Sequence, residues 1–85
     1  MTGPLIDAIN HATKIESDLT RRTGQPVFCR IHLRPEGLQI DFRRAVAHRH
    51  RIVTWAQIEA TDGRCLIPAI TQTARELIEL KTVAN

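Results

Sequence analysis

Four histidines, two cysteines and ten arginines hold most of the chemistry open to this 85-residue chain. His48-x-His50 sets two imidazoles on one side of an extended segment, because alternate side chains of a strand share a face. A zinc site needs three or four ligands that converge. The third histidine of the central region, His32, falls two strands away in a simple meander, about 10 Å at normal strand spacing. It also falls on the opposite parity if Ile52 is the inward residue of its strand. The spacing therefore argues against a metal, and no cofactor is implied. Ser17 has no glycine elbow around it, and Cys65 has no local partner signature. Asp41 stands among arginines that favour its charged form, which suits an ion pair and not a general base. Each of the four glycines fits a cap or a turn, so no phosphate-cradling loop exists. The chain does not read as an enzyme. Cys29 falls on an apolar strand parity, where a thiol acts as a small apolar group, and two cysteines do not make a disulfide framework.

Charge is the signal that remains. Between Arg21 and Arg51 lie eight arginines and two acids, giving +6. The remainder holds four bases and seven acids, giving −3. Arginine offers a planar fork that matches phosphate or carboxylate and stacks on rings. A basic block of this kind implies an anionic partner or a solvated face.

Three strands must carry that block: Val27–Arg34, Leu38–Arg44 and Arg49–Val53. In the first, Val27, Cys29, Ile31 and Leu33 alternate with Phe28, Arg30, His32 and Arg34, which makes one apolar and one basic face. Arg34-Pro35-Glu36-Gly37 reads as a tight hairpin, with glycine supplying a positive dihedral. Leu38, Ile40 and Phe42 then point inward, and Gln39, Asp41 and Arg43 outward. In the third strand an inward Ile52 puts Arg49, Arg51 and Val53 outward and His48 and His50 on the inward parity. A one-residue slip reverses this. The expected binding face is thus Phe28, Arg30, His32, Arg34, Arg43, Arg49 and Arg51, with Asp41 as its single acid.

Helices flank the strands. Pro4–Thr23 carries an apolar stripe of Leu5, Ala8, Ile9, Ala12, Ile15 and Leu19, closes with Arg21 and Arg22, and stops at Gly24 and Pro26. His11 lies off the stripe and should face solvent. Thr54-Trp55-Ala56-Gln57 matches a capping box opening a short helix to about Ala60, with Trp55 as a core or hinge anchor. After a turn at Asp62-Gly63, a last helix from Ile67 or Pro68 to about Thr82 shows the stripe Leu66, Ile67, Ile70, Ala74, Leu77 and Ile78. Glu76, Glu79 and Lys81 fall on its wet side.

The order is α-β-β-β-(short α)-α, an α+β two-layer sandwich in one domain: a three-stranded antiparallel meander packed by two helices. It resembles the double-stranded-RNA-binding domain in element order alone. The lysine-rich start of that family's final helix is replaced here by Gly63-Arg64-Cys65-Leu66-Ile67-Pro68. A core this small gains from a partner, and a second copy could pair along the first strand as a homodimer. No run spans a membrane and no signal peptide is recognisable, so a soluble, cytoplasmic protein is expected. The leading reading is a non-enzymatic module docking nucleic acid on its arginine face. The alternative is a small adaptor or inhibitor that binds an acidic protein surface, such as a phage-encoded inhibitor of a nucleic-acid-processing complex. That alternative rests on size and class.

Overall fold

The computed structural model describes residues 3–84, with side chains described to Glu79. Six elements follow in order: helix α1 (Gly3–Thr23), strands β1 (Phe28–Leu33), β2 (Gly37–Arg44) and β3 (Ala47–Thr54), and helices α2 (Trp55–Ala60) and α3 (Leu66–Ala84). The strands form an antiparallel sheet in the order β1-β2-β3. The expected α+β meander with its helices in one layer is the fold. No helix among the described residues is long and apolar enough to cross a membrane.

Sequence alternation in β2 sets the core. Leu38, Ile40 and Phe42 are buried on one face, and α3 lies across them with Leu66, Ile70, Ala74 and Leu77. Val53 of β3 and Val27 complete the floor, and α1 adds Ala8, Ala12 and Leu19 beside α3. Burying a side chain such as Phe42 in full is worth about 1.5–3 kcal/mol. The stripe on α1 is only half used. Leu5 and Ile9, expected in the core, are exposed, while Ala8 and Ala12 of the same stripe are buried. His11, expected in solvent, is half-buried, with its Nε2 2.8 Å from Thr71 Oγ1, and so links α1 to α3.

Both hairpins use two-residue connections. The first is closed by reciprocal bonds between Arg34 and Gly37, 2.8 and 3.2 Å. Gly37 is needed there for a reason other than its dihedral. A Cβ would strike the carbonyl oxygen of Val53, because β3 passes close beside it. The second connection, Ala45-Val46, has neither glycine nor asparagine. Ala45 takes a φ of 52°, a left-handed conformation that costs an ordinary residue about 1–2 kcal/mol.

This connection decides the facing of β3. It pairs Arg44 with Ala47, Phe42 with Arg49, Ile40 with Arg51 and Leu38 with Val53. Val53 is therefore the inward residue and Ile52 points away from the helices. The expected facing of β3 is reversed: Arg49 and Arg51 lie on the helix side, and His48 and His50 on the open face. The helix side accepts arginine there because α3 offers partners. Arg51 donates from Nε to Thr73 Oγ1 at 3.2 Å and from Nη2 to Glu76 Oε2 at 2.7 Å. Glu76, expected on the wet side, is thereby half-buried against the sheet.

Helix α1 also guards the outer edge of β1. Thr20 Oγ1 accepts the Val27 amide at 3.0 Å, and Glu16 Oε2 accepts the Cys29 amide at 2.8 Å. The alternation fixed by the Arg34–Gly37 pair turns the amides of Ile31 and Leu33 to that same edge. No side chain of α1 covers them among the described residues, and Leu33 is 80% exposed. At the same end of the sheet, on its β3 side, the capping box forms as read. Thr54 Oγ1 accepts the Gln57 amide, and Gln57 Oε1 accepts that of Thr54. Trp55 donates its indole N–H to the Pro35 carbonyl at 3.0 Å and its amide to the Glu36 carbonyl at 3.2 Å. It ties the start of α2 to the first hairpin and is not a core residue.

Candidate functional site

The helices occupy one face of the sheet, and the other face carries a grid of nine side chains. Register places Phe28, Arg43 and His48 in one row, Arg30, Asp41 and His50 in the next, and His32, Gln39 and Ile52 in the third. Asp41 is the centre of this grid and its single acid.

Three neighbours converge on the Asp41 carboxylate. His32 Nε2 lies 3.0 Å from Oδ2, and His48 Nε2 lies 3.2 Å from Oδ1. Gln39 Nε2 donates to both oxygens at 3.1 Å. His50 is Asp41's direct partner across β3 and stacks on His48, with ring centroids 5.4 Å apart. The Asp41–His50 pair falls between ladder hydrogen bonds, the arrangement in which facing side chains approach most closely. These neighbours leave the Asp41 side chain 18% exposed. Partial burial alone would raise its carboxyl pKa. The hydrogen bonds from Gln39 and His48, and the charges of His48 and His32, outweigh that and hold it below the usual value.

Beside this cluster, Phe28, Arg30, His32, Asp41 and Arg43 line a shallow concavity of about 350 Å³. Arg30 and Arg43 are exposed and form no ion pair among the described residues. Phe28 is 53% exposed at the rim. Two free guanidinium forks and one ring face thus share a single corner of the sheet.

Of the seven site residues expected from sequence, Phe28, Arg30, His32 and Arg43 are brought together. Arg34 sits at the hairpin, exposed and 3.9 Å from Glu36. Arg49 and Arg51 are on the opposite face. Arg49 is exposed and Arg51 is committed to α3. The sequence reading missed Gln39 as the residue holding the carboxylate, and His48 and His50 as members of the open face. A two-residue connection after Arg44 was the signal for the histidines. Counting across it puts odd-numbered β2 residues opposite even-numbered β3 residues.

Neither cysteine is bridged. Burial, with the negative charges of Glu16 and Asp41, pushes the Cys29 thiol up to about 12, which leaves it an inert neutral group. Arg44 is 4% exposed, and its Nε and Nη1 have no partner among the described residues. Comparison with protein-family models, curated proteins and solved structures returns no match.

Proposed function

We propose that this chain is a non-enzymatic binding module whose open sheet face takes an unpaired nucleic-acid strand at the Phe28–Arg30–Arg43 corner. The observation that carries this reading is the pairing of two exposed arginines, free of acidic partners, with an exposed aromatic ring. Phosphates suit the guanidinium forks through charge-assisted, bidentate bonds. A base suits Phe28, because stacking accepts every base and contributes about 1–3 kcal/mol each. A flat, open sheet fits a single strand better than a duplex groove, since it leaves the bases free to stack.

The test is binding of random-sequence single strands, DNA and RNA, across a salt series. Two phosphate contacts give a log–log slope of about −1.4, at roughly −0.7 per phosphate on single strands. The Arg30→Ala/Arg43→Ala variant should bring that slope close to zero. Phe28→Ala should weaken binding by about tenfold or more without changing the slope. Absence of binding at low salt overturns the reading.

One feature favours a second reading, a protein-binding adaptor or inhibitor. Ile31, on the open stretch of the β1 edge, lines a groove with the exposed Ile9 of α1. An added strand from a partner protein would satisfy those edge groups. Such a complex would tolerate salt and fail on Leu33→Asp.

A further inference from the structure

We propose that Asp41, His48 and His50 bind a divalent transition metal of the zinc class on the open sheet face, with His32 as the residue that positions Asp41. The reversed facing of β3 brings the set together. His48 and His50 are two residues apart on one strand, and Asp41 is the cross-strand neighbour of His50. One ligand atom from each of the three lies within 4.8 Å of the other two. A tetrahedral zinc with bonds near 2.1 Å requires ligand atoms about 3.4 Å apart. Closing the set thus takes movements of about 1.4 Å or less, well within rotation of exposed imidazoles.

The carboxylate is already divided between two duties. Oδ1 faces His48 Nε2 at 3.2 Å, and an ion between them replaces that contact. Oδ2 is held by His32 Nε2 at 3.0 Å, and Gln39 reaches both oxygens. Hydrogen bonds of this type fix ligand orientation, and their loss commonly costs 10–100-fold in metal affinity. Two imidazoles and one carboxylate form a donor set suited to zinc, copper, iron or nickel, not to magnesium or calcium. Three protein ligands also leave a coordination position pointing to solvent. Arg30 flanks Asp41 across the β1–β2 pair and would disfavour a bound cation. Its side chain is exposed and free to turn away.

The test uses untagged protein stripped with chelator and titrated with zinc chloride by calorimetry. Cobalt(II) then serves as a spectroscopic substitute, since its visible absorption reports tetrahedral geometry. The expected result is one ion per chain and an intense cobalt band. His48→Ala, His50→Ala and Asp41→Asn should each lower zinc affinity at least tenfold. His32→Ala should lower it about tenfold and leave the cobalt band in place. His11→Ala, on the helix layer, should change nothing. Far-UV circular dichroism of each metal-free variant establishes that these exposed-face substitutions leave the fold intact. Absence of zinc binding in the folded wild-type protein overturns the proposal, as does equal affinity in the His48→Ala/His50→Ala variant. The Arg30→Ala/Arg43→Ala variant should bind zinc at least as tightly as the wild type, so the outcome is independent of the nucleic-acid reading.

Discussion

Cys29 shows how one atom's surroundings reach the behaviour of the chain. Its thiol is neutral in the folded state up to about 12, whereas an ordinary thiol ionises near 9. Above pH 9 the unfolded chain releases this proton while the folded one keeps it. The unfolded state then binds fewer protons, and stability falls as pH rises from about 9 towards 12. Urea midpoints measured near neutrality and at about pH 10 should therefore drop further in the wild type than in Cys29→Ala. Equal drops would mean that the thiol is solvated. Sequence alternation placed Cys29 inward, and that part was legible. The two acids behind the shift were not. Glu16 arrives from α1, thirteen residues away, through a backbone hydrogen bond that no local pattern encodes.

At the level of elements, legibility followed the presence of local chemical signals. Helix α2 was readable to its ends because Thr54 and Gln57 form a reciprocal cap. The first hairpin was readable from Pro35 and Gly37. The second was obscured because Ala45-Val46 contains none of the residues that favour positive φ. That missing signal shifted the expected start of β3 from Ala47 to Arg49 and reversed its facing. Val53 and Ile52 are both apolar, so composition alone could not choose between them. The strained turn yields its own prediction. Ala45→Gly should stabilise the protein by about 0.5–1 kcal/mol, by relieving the left-handed alanine. Val46→Gly, at a fully exposed position without positive φ, should bring no gain. Denaturant midpoints of the two variants decide it, and a loss for Ala45→Gly would show that chain entropy outweighs the strain.

Across the whole molecule, the two phenylalanines sit on opposite faces of one sheet and should behave in opposite ways. Phe42 is wholly buried between β2 and α3. Phe42→Ala should cost about 3–5 kcal/mol, a large share of the 5–15 kcal/mol that holds a typical domain. Its thermal transition should become broad or vanish. Phe28→Ala on the open face should stay within about 0.5 kcal/mol of wild type while reducing single-strand binding. A thermal melt of the pair tests the layer assignment directly. The same layering explains why the site was only partly legible. Phe28, Arg30 and Arg43 follow from alternation within β1 and β2. The meeting of His32, His48 and His50 around Asp41 depends on the register of all three strands at once.

Trp55 gives these experiments an internal optical probe. The chain has one tryptophan and no tyrosine, so its near-ultraviolet fluorescence comes almost entirely from one indole, clamped between α2 and the first hairpin. Thr54, next to it, pairs with Gly37, four residues along β2 from Asp41, or about 13 Å at the rise of a strand. Emission from Trp55 will therefore follow release of the hairpin latch and stay quiet when a ligand settles on the grid. A variant that loses binding with unchanged emission has lost contacts, whereas one whose emission moves to the red has lost its fold.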